Sequence, residues 1–100
     1  MWVKSFLEPG KLSPPQARAL SSSSVRLGPG MRVGEHSTGE REELILVLDG
    51  EATLLSEGTA MPVPAGHAAY VPPDTRHDVE NRTGGALAYV YVTARTIERP

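Results

Sequence analysis

Short runs of alternating or continuous apolar residues, bounded by Gly, Pro, Asp, Asn or Ser, extend along the whole chain. The turn-forming residues recur mostly 8 to 14 residues apart, and no apolar stretch keeps the period of a helix for long. Runs of this length that are rich in β-branched and aromatic residues are typical of strands. The pattern therefore predicts an all-β sandwich or barrel of eight strands, at residues 2–7, 23–27, 31–36, 42–48, 51–56, 68–71, 77–81 and 86–93.

Two of these predicted strands are apolar on both faces. The stretches 44–48 and 86–92 do not alternate, and a strand with two apolar faces needs cover on both sides. One face would fill the interior, and the other would form an outer patch of Leu44, Leu46, Leu48, Tyr89 and Tyr91. Such a patch exceeds what monomers usually expose. We therefore expect a homodimer that buries it, unless the N-terminal arm lies across the same face.

The strongest hairpin signal in the chain is the pair Asp49 and Gly50, which separates two apolar runs. Asp followed by Gly favours the positive φ angles that a two-residue hairpin turn requires at its central positions. The sequence therefore predicts a hairpin at this point, in which Leu48 pairs close to Glu51.

A chain of 100 residues is long enough for one modest core and too short for two. Residues 13–24 contain two adjacent prolines and a run of serines without periodicity, which favours a surface connection. We interpret the chain as a single domain, in which an N-terminal strand and connecting arm at residues 1–29 pack on a barrel formed by residues 30–95.

Charge and cysteine content exclude several classes of protein. Ten Lys and Arg against 12 Asp and Glu give a net charge of −2, without the basic surplus of a nucleic-acid-binding protein. No apolar run approaches the roughly 20 residues that cross a bilayer. The chain has no cysteine, which excludes disulfides and thiolate ligands and leaves imidazole and carboxylate as metal ligands. We expect a cytoplasmic protein that binds neither nucleic acid nor membranes.

Histidines and glutamates provide the candidate chemistry. Two adjacent glutamates, Glu42 and Glu43, begin an apolar strand, so one of them points along an apolar face whichever side is inward. A buried carboxylate costs several kcal/mol unless a cation or hydrogen-bond donors accompany it. Two imidazoles, from His36 and His77, and one carboxylate that converge on one cavity would form a ligand set for a divalent metal.

The spacing of these residues resembles the two sequence motifs of the cupin superfamily. The positions of the first motif, Gly-x5-His-x-His-x3–4-Glu-x6-Gly, correspond to Gly30, His36, Thr38, Glu43 and Gly50. Those of the second motif, Gly-x5-Pro-x-Gly-x2-His-x3-Asn, correspond to Gly66, Pro72, Asp74, His77 and Asn81. Eight of the ten positions agree in residue type. The resemblance implies a small single-domain cupin with a double-stranded β-helix, a jelly-roll barrel of two antiparallel sheets.

Two positions depart from the cupin motifs. Thr38 stands where the family most often has its second metal-binding histidine, and Asp74 replaces a turn glycine. Asp tolerates unusual φ angles, so Asp74 is expected to fit the turn. The resemblance implies that His36, Glu43 and His77 ligate a divalent transition metal, which is Fe, Mn, Ni, Zn or Cu. It also implies that Thr38 orients a bound water or substrate.

Further inward or rim positions are candidates for lining the cavity around this metal: Arg26, Ile45, Val47, Tyr70, Asn81 and Tyr91. His67 lies off both motifs and is interpreted as a surface histidine. The family resemblance implies a metal-dependent enzyme of the dioxygenase, isomerase or lyase type that acts on a small organic molecule. The sequence leaves open two alternatives: a non-catalytic module that binds a small ligand or metal, and an accessory protein with a vestigial metal site.

Overall fold

The computed structural model describes residues 1–96, which form nine β-strands. The strands are β1 (Gly10–Lys11), β2 (Leu20–Leu27), β3 (His36–Ser37), β4 (Arg41–Asp49), β5 (Glu51–Ser56), β6 (Thr59–Pro64), β7 (Ala68–Val71), β8 (Arg76–Glu80) and β9 (Leu87–Arg95). They build a five-stranded sheet in the order β1-β2-β9-β4-β7 and a four-stranded sheet in the order β3-β8-β5-β6. The predicted all-β fold with two antiparallel sheets is confirmed. None of the described residues belongs to a helix long and apolar enough to span a membrane.

Side chains that alternate along the strands fill the space between the two sheets. Along β4, Ile45 and Val47 are buried, whereas Leu44 and Leu46 point to the other side. The buried apolar residues form one core cluster, which consists of Leu27, Ile45, Val47, Ala52, Leu54, Val63, Val71, Val79, Leu87 and Tyr89. The burial of this apolar surface is the dominant favourable contribution to the free energy that holds the two sheets together.

The outer face of the five-stranded sheet differs from the predicted patch in its tyrosines. Leu44, Leu46 and Leu48 point outward and are 40%, 36% and 46% exposed. Tyr89 and Tyr91, which we expected beside them, face the interior instead. The reason is the pairing of β9 with β4, because Cα partners share a face and both tyrosines stand opposite buried residues of β4. The outward positions of β9 carry alanines and valines.

The chain crosses from one sheet to the other at Gly50, and the hairpin predicted there is wrong. β4 pairs with β7 and β9, whereas β5 pairs with β6 and β8, so Leu48 does not pair with Glu51. Gly50 has a φ of 81°, and a side-chain carbon there would collide with the backbone carbonyl oxygen of Ala86. The crossing therefore needs glycine at this position for both its φ angle and its close approach to the start of β9.

The two-residue hairpin of this region lies one strand later, between β5 and β6. Glu57 and Gly58 form its turn with φ angles of 51° and 77°, the positive values that such a turn requires at both positions. β6 is absent from the predicted strands because Pro62 and Pro64 lack the N–H group that a central strand would use. As the edge strand of its sheet, β6 accommodates both prolines.

The strand predicted at residues 2–7 is wrong. The first strand is the short β1, and residues 1–8 form an N-terminal arm that contacts the outer face of β2. The hydroxyl of Ser24 lies 3.2 and 3.0 Å from the carbonyl oxygens of Phe6 and Glu8. The guanidinium of Arg26 donates to the carbonyl oxygen of Leu7 at 2.7 Å. Backbone groups thus attach the arm to the barrel.

Two predicted strand bounds are also shifted. β2 begins at Leu20 and includes the serine run at 21–24, for which the sequence pattern favours a connection. It pairs with β9 along its whole length. Of the strand predicted at 31–36, only β3 and an isolated bridge at Arg32 are present. The short polar side chains of the serine run hide its strand character. β2 lies before residue 30, where we predict the boundary between the N-terminal arm and the barrel. That boundary stays a prediction.

Candidate metal centre

Two histidines on neighbouring strands of the four-stranded sheet lie next to each other. His36 in β3 and His77 in β8 are Cα partners, and their ring centroids are 4.3 Å apart. His77 is 1% exposed, because it shares the inward face of β8 with the core residue Val79. His36 is exposed, and the third histidine, His67, is exposed elsewhere on the surface. The fold therefore brings together one buried and one accessible imidazole.

The carboxylate of Glu43 reaches the same point from the five-stranded sheet. Its Oε2 lies 3.3 Å from Nε2 of His77, and the residue is 7% exposed. The neighbouring Glu42 points to the outer face, where its Oε1 accepts a hydrogen bond of 2.9 Å from the hydroxyl of Tyr70. Strand parity leaves the two glutamates open, the motif resemblance implies Glu43, and the structure brings Glu43 to the histidines.

Backbone carbonyls determine which ring nitrogen each histidine offers. Nδ1 of His36 lies 2.8 Å from the carbonyl oxygen of Gly34, and Nδ1 of His77 lies 3.1 Å from that of Thr75. A carbonyl oxygen can only accept, so Nδ1 carries a proton in both rings. In the neutral ring, Nε2 then keeps its lone pair for a metal, an arrangement typical of metal-binding histidines.

The three side chains fit a divalent metal ion. One ligand atom from each of His36, Glu43 and His77 lies within 4.8 Å of the other two. Ligand atoms that surround one ion at about 2.1 Å are separated by about 3 to 4 Å, so a small contraction of the cluster would complete the set. Imidazole and carboxylate together are donors that suit first-row transition metals.

Glu43 also changes the acidity of the buried histidine. Its hydrogen bond raises the pKa of His77 above the ordinary value of 6.5. Burial opposes this shift, while the carbonyl of Thr75 and the negative charges of Glu43 and Asp78 add to it. Without a metal, His77 therefore keeps its proton to a higher pH than an exposed histidine and forms an ion pair with the glutamate.

We expect the metal-free protein to lose stability as the pH rises through the raised pKa of His77. A folded-state pKa above the unfolded value of 6.5 means that the contribution of the pair is complete below that pH and is lost above the folded pKa. Urea unfolding of chelator-treated protein between about pH 6 and about pH 9 measures this loss, and the Glu43→Gln variant should lose less stability than the wild type. An equal loss in both proteins would contradict the ion pair.

Thr38, at the position of the family's second histidine, is bound to the backbone. Its hydroxyl donates to the carbonyl oxygen of Pro72 at 2.6 Å and accepts from the N–H of Thr75 at 3.1 Å. Thr38 thereby joins the turn between β3 and β4 to the loop that precedes His77. Asp74 in that loop has a φ of 52°, the unusual angle expected for a residue that replaces glycine.

Two residues of the cluster, His36 and Glu43, line a cavity of about 470 Å³. Its lining consists of Ser21, Val25, Val33, His36, Ser37, Thr38, Arg41, Glu43, Val79, Tyr89, Tyr91 and Thr93. Tyr91, one of the predicted lining residues, is among them. Valine and tyrosine side chains thus provide an apolar wall beside the polar cluster, a combination typical of small-molecule sites.

The other five predicted lining residues lie elsewhere in the structure. Ile45 and Val47 are packed in the core and are not among the residues that line the cavity. Asn81 is fully buried, and its amide donates to two backbone carbonyl oxygens, at 3.0 and 2.7 Å. Arg26 and Tyr70 lie on the outer face of the five-stranded sheet. Asn81 therefore supports the barrel wall, and the two outer residues are remote from the cavity.

Several lining residues are not singled out by the sequence. Arg41 precedes Glu43 by two residues, and Tyr89 precedes Tyr91 by two, so strand parity alone could have placed each beside a candidate. Ser21 lies on β2, and no local sequence pattern indicates that this strand pairs with β9. Burial raises the pKa of Tyr89 well above its ordinary value of 10.0, and the charge of Glu43 adds to the shift. The phenol of Tyr89 is therefore neutral across the physiological range.

A barrel of two antiparallel sheets that gathers two histidines and a glutamate inside it defines the class of double-stranded β-helix proteins with a candidate metal centre. The family model of the cupin domain matches residues 23–93, which is most of the chain. The chain therefore belongs to the cupin family, as its two motifs predict.

Three solved structures illustrate the similarity. A Cupin 2 conserved barrel domain protein from Salinispora arenicola is 30% identical, with a TM-score of 0.78 over 88% of this chain and 75% of that one. A cupin-superfamily sugar phosphate isomerase from Silicibacter pomeroyi is 25% identical, with a TM-score of 0.69 over 81% of this chain and 54% of that one. A predicted oxalate decarboxylase from Thermotoga maritima shares the fold at 21% identity, with a TM-score of 0.75 over 96% and 100% of the two chains. A search of curated proteins finds no significant match.

Proposed function

We propose that His36, Glu43 and His77 bind a divalent transition metal, either Fe, Mn, Ni, Zn or Cu, inside the barrel. The observation that carries this proposal is that Nδ1 of each ring lies within hydrogen-bond distance of a backbone carbonyl oxygen, which directs Nε2 to a metal. A bound metal would replace the proton on Nε2 of His77, and the carboxylate of Glu43 would supply the negative charge that a divalent cation needs in a buried site.

We infer that the protein is a metal-dependent enzyme of the dioxygenase, isomerase or lyase type. Three protein ligands leave coordination positions on the metal open. The hydroxyl of Thr38 is hydrogen-bonded to the backbone of Pro72 and Thr75, so it does not fill one of these positions. A bound metal would supply Lewis acidity or a centre for oxygen chemistry. The cavity of about 470 Å³ fits a small organic molecule. The similarity to a sugar phosphate isomerase and to a predicted oxalate decarboxylase supports a substrate of that size.

An assay of metal-loaded protein against small acids, diketones, phenols and sugars, with oxygen consumption recorded, tests the enzymatic function. Turnover that disappears in Glu43→Gln and persists in Glu42→Gln supports it, because the second variant changes a carboxylate on the outer face. Stoichiometric metal without conversion of any compound would identify a non-catalytic binding module instead. A protein that binds none of the metals would be an accessory protein with a vestigial site.

We also propose that the protein acts in the cytoplasm on a small molecule, and on neither nucleic acid nor membranes. The net charge of −2 offers no surplus of cations for phosphate groups, and the absence of cysteine is compatible with a reducing compartment. Fractionation of expressing cells and a nucleic-acid retention assay at low salt would test the two parts separately.

We propose that the protein forms a homodimer through the outer face of its five-stranded sheet. Leu44, Leu46 and Leu48 remain partly exposed there on β4. The backbone contacts of the N-terminal arm are with β2, which β9 separates from β4. A second copy related by a two-fold axis would cover the leucines with the same leucines of its own.

The Leu46→Lys variant is expected to be a monomer under conditions in which the wild type is a dimer. An ammonium group at the centre of an apolar interface loses its hydration without gaining a partner, which should weaken association by on the order of tenfold or more. Sedimentation at micromolar concentration measures this. Met61→Lys, which changes an exposed apolar residue of the other sheet, is the control and should remain a dimer. A monomeric wild type would contradict the proposal.

A further inference from the structure

Arg41 is the one cationic side chain that lines the cavity of the candidate metal centre, within the described residues. It begins β4 and precedes Glu43 by two residues, so the two side chains lie on the same inward face of the strand. Adjacent residues of one face are separated by roughly 6.6 Å along a strand, so the Cα atoms of Arg41 and Glu43 are one such step apart, and both residues line the cavity.

The hydrogen bonds of Arg41 leave most of its donor capacity unused. Its two terminal nitrogens donate to the carbonyl oxygens of Ala19 and Arg18, at 3.3 and 3.2 Å. A guanidinium has five N–H donors in a planar fork that matches a carboxylate. None of the five ion pairs among residues 1–96 involves Arg41. A cation on the cavity wall with neutral partners only is therefore available to an anion.

The charge of the cavity also favours an anion. Glu43 is the one carboxylate among the lining residues of the described chain. A divalent metal carries one more positive charge than Glu43 neutralises, and Arg41 adds another positive charge to the lining of the cavity. The register of the sheet places a further cation, Arg95, directly opposite Arg41. A ligand that brings negative charge into the cavity would balance these cations.

We propose that Arg41 binds the carboxylate of a small organic acid whose other end reaches the metal. This inference rests on the metal centre proposed above and names the substrate class of that site. The organic acid would lie with its carbon chain against the apolar wall of Val25, Val33 and Tyr91. Because Arg41 and Glu43 line the same cavity from neighbouring positions of one strand face, we take an acid whose carboxylate is separated from its metal-binding group by a short carbon chain.

A pair of probes separates the contact with Arg41 from the contact with the metal. Succinic acid monohydroxamate carries a metal-chelating hydroxamate and a distal carboxylate, and its amide analogue lacks only the negative charge. Calorimetry on zinc-loaded protein should give about tenfold tighter binding of the carboxylate in the wild type, since hydrogen bonds between charged groups are the strong ones. In Arg41→Gln this preference should fall to about twofold or less.

The matched control is Arg26→Gln. The guanidinium of Arg26 also donates to a backbone carbonyl, but it lies on the outer face of the sheet. This variant should keep the tenfold preference. Loss of the preference in both variants, its persistence in Arg41→Gln, or its absence in the wild type would each overturn the role of Arg41. Because the amide analogue reports the metal contact alone, a merely structural role of Arg41 would weaken both probes equally.

Titration with zinc alone tests the metal centre separately. If zinc does not bind, the proposed metal function fails, and the role of Arg41 is then tested on metal-free protein with butyrate and butyramide. The side-chain Nε–H signal of Arg41 in a nitrogen-15 NMR spectrum, assigned from its loss in Arg41→Gln, should shift saturably with butyrate and stay in place with butyramide. An equal response to both compounds would overturn the inference.

Discussion

Replacement of Glu43 by Gln is expected to abolish the stabilisation that divalent metals give the wild-type protein. A metal that binds only the folded state adds on the order of 3 kcal/mol when its concentration is a hundredfold above Kd. For a domain of this size the gain corresponds to a rise in Tm of about 12 to 24 °C. Gln preserves the shape of the side chain but removes the buried charge that offsets the metal, so the variant should show little of this rise.

Thermal melts with Mn, Fe, Ni, Zn or Cu, and with chelator added back, measure this effect. Glu42→Gln is the matched control, because it makes the same change one residue away on the outer face of the strand and should melt like the wild type. An unchanged wild-type Tm with every metal would contradict the metal centre. A full metal response in Glu43→Gln would contradict the role of this carboxylate.

The Gly50→Ala variant is expected to be strongly destabilised, by about 2 to 5 kcal/mol. The left-handed φ of 81° costs a residue with a side chain about 1 to 2 kcal/mol. The added carbon also collides with the backbone carbonyl of Ala86, which cannot move without displacing the start of β9, and overpacking of this kind costs about 1 to 3 kcal/mol more. Urea unfolding followed by circular dichroism measures the loss.

Gly58→Ala is the matched control for this second prediction. Gly58 has a similar φ of 77°, but a side-chain carbon there meets no atom within 4 Å. The control should therefore show the conformational cost alone, about 1 to 2 kcal/mol. If both variants lost the same stability, the close approach of β9 at the sheet crossing would carry no cost, and our explanation of the glycine would be wrong.

The candidate site is largely predictable from the sequence because its residues occupy motif positions. In addition, the alternation of side chains along a strand predicts which face each of them is on. Glu43 lies on the same face as core residues of β4, and His77 shares its face with Val79. Parity does not decide between Glu42 and Glu43, because the strand is apolar on both faces. The motif resemblance selects Glu43, and the buried imidazole of the second sheet agrees, because it shows which side of β4 is the interior.

The errors in the predicted fold have two physical causes. A turn signal reports local backbone preference, and positive φ at Gly50 serves a crossing between sheets as well as a hairpin. The facing of β9 depends on its register with β4, which no local pattern reveals in a run such as 86–92. The pattern therefore places Tyr89 and Tyr91 in the outer patch, with Tyr91 also a candidate for the cavity lining, whereas both lie inside. The serines of β2 and the prolines of β6 give little local indication of a strand. Both segments are strands because pairing with partner strands overrides local propensity.

Elemental analysis of the wild-type protein, purified without added metal and without chelator, tests the central claim most directly. A site of two imidazoles and one buried carboxylate should retain about one transition-metal ion per chain, and the ion should be absent from Glu43→Gln purified in parallel. A wild-type protein that contains no stoichiometric transition metal, and takes up none after incubation with Mn, Fe, Ni, Zn or Cu, would contradict the account.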